Sequence, residues 1–441
     1  MNIKHILLLI LTIMFFVSCS DNSNNPDSTY EYKIAVITDI HVYDQSLGTS
    51  GSAFETAVGR DRKMIAESYA IFESALNSIK NSEQSMLFIT GDLTKDGEKI
   101  SHLKVAEMLR EFEKTGKKTF VIPGNHDINN YLASAYSGDN KIPTEKISAE
   151  DFSSIYAEFG FIEAIARDPN SLTYVCEPET GLWVVGIDAC KYQENTESST
   201  KVGGRITTES LNWITNKIKE GKSKGKKVVV LMHHGILEHF PGMKAVFTDF
   251  IIDDYELIRT KFMESGVNLV FTGHHHAQDI AVYSDGKKIL FDCQTGASLS
   301  YPCSYRYVNI AQNDVVDIQS YRVLSANYDT KGKDFQEYAY LFLKEGVPAI
   351  ANYYITQYLG LSQEQSQILE PIVAETLLDY YIGDESSRKP SDLPQRMNAL
   401  KNALGEPLGT ILAGILEGIY NDNTPDNNVI IDLKKGTITK K

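Results

Sequence analysis

Cysteine is scarce in this chain, with 5 in 441 residues and no C-x-x-C pair among them. A thiolate zinc cluster of the usual spacing is therefore excluded, so a metal site here draws on nitrogen and oxygen donors. The N-terminal apolar run, Ile6 to Val17, is shorter than the ~20 residues that a membrane-crossing helix needs. Basic residues are outnumbered, 43 Lys and Arg against 58 Asp and Glu, for a net charge of -15. That balance disfavours a docking face for nucleic acid, whose phosphates need clustered cations. No internal repeat recurs at a fixed spacing. What remains is material for a large core: 42% of the residues are hydrophobic, enough for two domains. An acidic protein can still act on a small phosphate ester where bound cations supply the local positive charge.

The chain opens with Lys4 and His5 ahead of the apolar run, the pattern of a secretory signal. Phe16-Val17-Ser18-Cys19 resembles a bacterial lipobox. Residues 1–18 are expected to be a lipoprotein signal peptide, with Cys19 the lipidated residue and 19–30 a flexible, Asn-rich tether. An ordinary cleaved signal with an incidental Cys19 is the alternative. Either reading expects export, and the first places the protein in the bacterial cell envelope, on the membrane through its anchor. Cys176, Cys190, Cys293 and Cys303 would then meet an oxidising compartment, and the sequence leaves their pairing open.

From residue 31 to 325 short β-rich runs alternate with helical stretches, which predicts one α/β domain with two mixed sheets flanked by helices. Runs 33–37, 86–90, 118–122, 182–187, 227–232 and 268–272 read as buried strands, and 280–282, 289–292, 307–310 and 315–323 as closing antiparallel strands. Helical periodicity marks 61–79, 98–115, 149–159, 207–222 and 254–264. Residues 326–441 read as a C-terminal helical domain with a short terminal strand. There Pro348 is expected near a helix start, Ser362 and Gln365 in a capping box, and Ile368, Ile372 and Val373 on one face. The many tyrosines of this region, Tyr338, Tyr340, Tyr353, Tyr354, Tyr358, Tyr380 and Tyr381, read as packing.

Five patches of metal-binding side chains follow predicted strands, where loops of an α/β fold aim groups into one crevice. Asp39 and His41, two apart, would share a side of an extended stretch and chelate one ion. Gly91-Asp92 gives a sharp turn and a carboxylate able to bridge two cations. Pro123-Gly124-Asn125-His126-Asp127 sets a neutral amide oxygen, an imidazole and a carboxylate in succession. There His126 is expected to act on the phosphoryl or leaving oxygen, with Asp127 holding its ring. Met232-His233-His234-Gly235 and Gly273-His274-His275-His276 hold five of the chain's 10 histidines. Imidazole suits Mn, Fe and Zn. Alternation along a strand allows one of His233 and His234 to ligate, and His233 is preferred. His275 is expected to face solvent or to stand behind the ligands. His102, on a helix, reads as surface or packing, and Asp188 as structural. His239, Arg205, Tyr301 and Tyr305 are even candidates for lining the crevice.

Together the five patches resemble the calcineurin-like metallophosphoesterase family, with its D-x-H, G-D, G-N-H-[DE], H and G-H-x-H motifs in order over about residues 32–325. The resemblance implies a four-layer α/β/β/α sandwich and a dinuclear centre of divalent or trivalent ions. In it Asp39, His41 and His276 hold one ion, Asn125, His233 and His274 hold the other, and Asp92 bridges. His126 and Asp127 would be the catalytic pair, acting on a small phosphate monoester or diester. The competing reading is an envelope binding or assembly protein with a vestigial metal site.

Overall fold

The computed structural model describes residues 30–59 and 63–441. The expected signal peptide and Cys19, and the predicted helix start at Asp61, lie outside the described residues. Sixteen strands are present: β1 (Tyr30–Ile37), β2 (Met86–Ile89), β3 (Lys118–Val121), β4 (Ser134–Ser137), β5 (Asn140–Pro143), β6 (Ala166–Arg167), β7 (Tyr174–Glu179), β8 (Leu182–Ile187), β9 (Lys227–Met232), β10 (Leu269–Thr272), β11 (Asp279–Ser284), β12 (Ile289–Gln294), β13 (Ser304–Ala311), β14 (Val315–Arg322), β15 (Val429–Asp432) and β16 (Thr437–Lys440). The first sheet runs β16-β15-β14-β13-β1-β2-β3 and the second β11-β12-β10-β9-β8-β7-β6, while β4 and β5 form a separate pair. Both sheets are mixed. β1, β2 and β3 are parallel, as are β8, β9, β10 and β12, while β13 to β16 in the first sheet and β6, β7 and β11 in the second join by antiparallel pairing.

The central strands are apolar on both faces because both are covered. In β9, Val229 and Leu231 face the core shared with the first sheet, while Val228, Val230 and Met232 face the opposite layer. β10 divides the same way, with Leu269 and Phe271 inward and Val270 outward. Phe88 of β2 meets Phe271 across the sheets, ring centres 6.5 Å apart. Helices α1 (Ser68–Lys80) and α2 (Lys99–Glu113) bury Ile71, Phe72, Val105 and Leu109 against the first sheet. α3 (Thr208–Ser223) and α4 (Tyr255–Ser265) bury Ile214, Ile218, Ile258 and Phe262 against the second. The result is the α/β/β/α sandwich.

After β14 the chain forms four helices, α5 (Phe335–Tyr353), α6 (Gln363–Ile382), α7 (Leu393–Leu404) and α8 (Leu408–Tyr420), before β15 and β16 return to pair with β14. Leu369, Leu412 and Ile415 pack in one cluster with Phe240, Met243 and Phe262, so these helices cover the outer side of the second sheet. Ser362 and Gln365 do form a capping box. Three local expectations are corrected. Pro348 sits inside α5, where its missing N–H deprives only the carbonyl of Lys344, an exposed residue. Ile368 is half exposed, and the buried face of α6 runs through Leu369, Leu377 and Tyr380. α1 starts at Ser68, later than its periodicity suggests, because Met64 is tied to Leu299 by a 3.2 Å backbone bond that carries the preceding residues toward the site. No described helix is long and apolar enough to cross a membrane.

Candidate metal centre

The five patches emerge from the carboxyl ends of β1, β2, β3, β9 and β10, strands joined by parallel pairing in the two sheets. The backbone there is not the extended chain that alternation assumes. Asp39, His41, Asp92, His274 and His276 all take positive φ, between 36° and 72°, and they are five of the 11 non-glycine residues that do so among those described. Left-handed conformations of such residues carry strain that the surroundings must support, and they concentrate at functional sites. Asp39 and His41 thus meet through successive left-handed turns, not through a shared strand face.

Two groups of ligand atoms result, Asp39 with His41, Asp92 and His276, and Asp92 with His233 and His274, each group within 4.8 Å. Asp92 belongs to both. Its Oδ2 lies 3.5 Å from His41 Nε2 and 3.4 Å from His233 Nε2, while its Oδ1 accepts a 2.9 Å bond from the His126 backbone N–H. Asp39 Oδ2 accepts from Thr38 Oγ1 at 2.7 Å and from His274 N at 3.0 Å, and its Oδ1 points at His276 Nε2, 3.2 Å away. Three of the four cluster histidines are oriented from behind by a carbonyl: His41 Nδ1 donates to Thr94 O, His233 Nδ1 to Thr90 O and His274 Nε2 to Asp249 O. Those bonds free the opposite nitrogen as a lone-pair donor, the usual support of a metal-bound imidazole. Asn125 Oδ1 stands 3.1 Å from His233 Nε2.

The donor set fits a pair of cations. Asp39 Oδ1 and His41 Nε2 are fully buried with no hydrogen-bond partner, a costly state unless a positive charge faces them. Burial, Lys63 and the neighbouring imidazoles hold His41 well below the usual histidine range. Burial, His234 and His233 do the same for His274. Both are therefore neutral, the state that ligates. Burial opposes charge on His233 as well, but Asp92 beside it outweighs this and moves it up to about 9. Burial likewise opposes the Asp92 carboxylate, and His233, His126 and His41 outweigh it, holding Asp92 well below the carboxylate range.

His126 reaches the mouth of the site, its side chain 24% exposed and its Nε2 4.0 Å from Asp92 Oδ2. The expected partner is wrong. Asp127 does not hold this imidazole: its carboxylate turns back to accept from Leu93 N, Thr94 N, Thr94 Oγ1 and Gly124 N at 2.8–3.1 Å. The ring is held by Asp96, whose Oδ1 accepts from His126 Nδ1 at 2.9 Å while Lys95 pairs with the other oxygen. Asp127 is a loop-fixing residue. Removing it strands three buried N–H groups at about 1–3 kcal/mol each, so Asp127→Ala is expected to lose ~3 kcal/mol or more, read as a lower urea midpoint. Asp127→Asn, which keeps one acceptor oxygen, should lose less.

His234 turns away from the centre, its Nε2 donating to Val202 O at 2.9 Å, and only His233 faces the ligands. His275 is buried, not solvent-facing, and its Nδ1 accepts from the Tyr380 hydroxyl at 3.2 Å. His102 is buried between Tyr156 and Asp127 O, and Asp188 anchors Leu172 N, Cys190 N and Tyr192, so both are structural. Arg205 pairs with Glu194 at the surface, Tyr301 meets Tyr340 edge to face, Tyr305 packs with Tyr307 and Tyr321, and His239 belongs to a separate acidic group. Among the described residues Cys176, Cys190, Cys293 and Cys303 are buried free thiols. Two glycines are required by close approach. A Cβ on Gly124 would lie 2.2 Å from both Asp92 N and Asp92 Oδ1, and one on Gly273 would lie 2.6 Å from Asp39 Oδ2. Gly124→Ala should displace Asp92 and lower turnover by about 10²-fold, checked together with bound metal.

The cleft over the centre has a volume of about 430 Å³. One side is polar, with Lys63, Asn125 and His126. The other is apolar and aromatic, with Phe247, Phe250, Ile350, Tyr353, Tyr354, Leu377 and Tyr381. The packing reading of the tyrosines is therefore incomplete, because α5 and α6 bring three of them to the site. Asp96 and Lys63 were not anticipated. Asp96 had a signal, a second carboxylate in the Gly91-Asp92-Leu93-Thr94-Lys95-Asp96 loop; Lys63 had none.

A family model described as calcineurin-like phosphoesterase matches residues 32–278. A probable cyclic nucleotide phosphodiesterase of Coxiella burnetii is 25% identical over 246 residues, which cover 55% of this chain and 75% of that protein. Among solved structures, a dimetal phosphatase of Danio rerio superposes with a TM-score of 0.49 at 12% identity, over 67% of this chain and 98% of that one. A purple acid phosphatase from yellow lupin, Lupinus luteus, gives 0.42 at 11% identity, over 70% and 53%.

Proposed function

Because the chain belongs to the calcineurin-like phosphoesterase family, we propose that its two clusters hold a pair of Mn, Fe or Zn ions and that it hydrolyses small phosphate esters. The observation that carries this reading is that two clusters of ligand atoms share Asp92, and that Asp39 Oδ1 and His41 Nε2 of the first cluster are buried without a hydrogen-bond partner. Asp39, His41 and His276 would hold one ion, and Asn125, His233 and His274 the other. When bound, such ions lend Lewis-acid charge to the phosphoryl group and acidify the attacking water. The remaining work falls to the chain. Lys63, a buried residue of the cleft lining, would add positive charge beside the phosphate, and His126, with its Nδ1 proton committed to Asp96, offers Nε2 to the leaving oxygen or to a developing phosphoryl charge.

The cleft is sized for a small molecule, and its aromatic wall suits a planar or apolar leaving group. The Coxiella burnetii relative's description supports placing cyclic nucleotides first among candidate substrates. Metal-loaded protein is expected to hydrolyse p-nitrophenyl phosphate or bis-p-nitrophenyl phosphate, and cyclic nucleotides within a panel of natural esters. Failure on every ester by metal-loaded protein would overturn the reading. The helices from 326 onward act in this account as the cap that supplies the aromatic wall. Export and lipid attachment at Cys19 complete it, and Cys19→Ala should shift the protein from the membrane fraction to the soluble fraction of cells expressing it.

A further inference from the structure

The seam between the C-terminal helices and the core holds a second concentration of buried acid. Asp279 opens β11, Asp422 and Asp426 lie between α8 and β15, and one carboxylate oxygen from each falls within 4.8 Å of the others. Asp279 and Asp426 are buried, and Asp422 is partly exposed. Their recorded hydrogen bonds leave lone pairs over. Asp279 Oδ1 accepts from His239 Nδ1 at 2.8 Å, Asp422 Oδ1 from Thr424 N at 2.9 Å, and Asp426 from Ile280 N and Asp384 N.

A fourth carboxylate points the same way. Glu385 is 1% exposed, and neither of its oxygens has a hydrogen-bond partner. Its chain neighbour Asp384 donates its N–H to Asp426 Oδ2 at 2.6 Å and accepts from Asp426 N at 2.8 Å, which brings Glu385 beside that trio, and burial with the charges of Asp426, Asp279 and Asp422 raises its pKa well above the usual range. Nearby cations balance the group only in part. Arg306 spends its guanidinium on the backbone carbonyls of Asp426, Asp279 and Gln294, and His239 is shared with Asp292, 3.3 Å from its Nε2. Uncompensated buried carboxylates are strongly destabilising.

We propose that Asp279, Asp422 and Asp426 form a third cation site, which takes a calcium ion, draws in the unpartnered Glu385 beside them and pins the C-terminal helices to the core. The donors are carboxylate oxygens alone, the chemistry of a hard ion, and calcium accepts six to eight oxygens in irregular geometry. The histidine-rich clusters select differently. A cleft of about 530 Å³, lined by Asp422, Thr424, Tyr255, Arg259 and Tyr283, gives an ion a route in. The site would also reach the metal centre, because Asp279 follows His276 by three residues and Glu385 follows Tyr380, the donor to His275, by five. The proposal stands apart from the phosphoesterase reading.

The test uses the full chain with its histidine clusters loaded with Mn²⁺, dialysed free of calcium and then titrated with Ca²⁺ by calorimetry and thermal melting. One calcium per chain is expected, with a rise in Tm of about 3–6 °C at saturation and a weaker response to Mg²⁺. Asp422→Asn and Glu385→Gln, both near-isosteric, should each weaken binding at least about tenfold, as lost ligand charge lowers calcium affinity, and remove the Tm rise. Asp92→Asn should preserve both. No calcium binding by the wild type, meaning carboxylates that merely share protons, overturns the proposal. So does binding lost in Asp92→Asn yet kept in Glu385→Gln.

Discussion

Asp92→Ala is expected to remove hydrolysis and metal retention together, with kcat/KM falling by more than about 10³-fold, or ~4 kcal/mol of transition-state stabilisation. The expectation comes from position: Asp92 Oδ2 is the one carboxylate oxygen that faces His41 on one side and His233 on the other. Asp92 also fixes the following loop, because Oδ1 accepts from His126 N. Asp92→Asn separates the two roles. It keeps an oxygen for the His126 N–H but replaces the shared carboxylate with a neutral amide that has one acceptor atom. It should therefore match the alanine variant in lost metal while retaining more of the wild-type unfolding midpoint. An Asp92→Asn protein with full activity and full metal content would contradict the assignment of Asp92 as the shared ligand.

The second large effect is expected at His126. Its ring touches no ligand cluster as a member, yet it borders the cleft with Nδ1 bonded to Asp96 and Nε2 toward the polar side. His126→Ala should lower kcat by about 10²–10⁴-fold while metal content stays at the wild-type level. The substrate dependence tells its role. If His126 delivers a proton to the leaving oxygen, the defect is large for alkyl phosphates, whose alkoxides leave poorly, and small for p-nitrophenyl esters. Equal defects on both would assign it to stabilising phosphoryl charge instead. Asp96 acts through His126 and is a positioning residue. Asp96→Asn should reproduce the same leaving-group pattern at smaller amplitude, about tenfold, whereas a merely structural loss would lower both substrates alike and change the unfolding midpoint.

The sequence made the strand ends readable because apolar runs such as Phe88–Thr90 and Val270–Thr272 end abruptly in Gly and a metal-binding side chain. Such signals are local, and a strand carries them to the sheet's edge whatever the rest of the chain does. Asp96 was missed because its contact is not local. Asp127 is the neighbour of His126 in sequence, but the 124–127 turn, closed by an Asp127 N to Gly124 O bond, directs its carboxylate backward under Leu93 and Thr94. Asp96 then fills the place from 30 residues upstream. The pairing of Asp39 with His41 was reached through an extended-strand argument, whereas the chain achieves it with positive φ at both residues. Propensity gives no warning of that, since neither is glycine. The aromatic wall was illegible for a third reason: Tyr353, Tyr354 and Tyr381 are more than 70 residues beyond His276, and only packing of α5 and α6 near the cleft converts core-type residues into lining ones.

The acidic balance of the chain also acquires a location. Part of the net charge of -15 sits buried at the metal centre and at the seam of Asp279, Asp422, Asp426 and Glu385, where the two proposed sets of cations would answer it. In the proposed function the anionic substrate would be attracted locally, through Lys63, His126 and the bound ions.

The most direct test of the dinuclear account is a metal titration of the purified chain with activity followed on bis-p-nitrophenyl phosphate. Transition-metal content is measured by mass spectrometry at each step. The account predicts that stripped protein is inactive, that activity returns with two equivalents of Mn, Fe or Zn per chain, and that Asp92→Asn binds neither equivalent tightly. Full activity in protein stripped of transition metals, or recovery complete at zero bound equivalents, would contradict it.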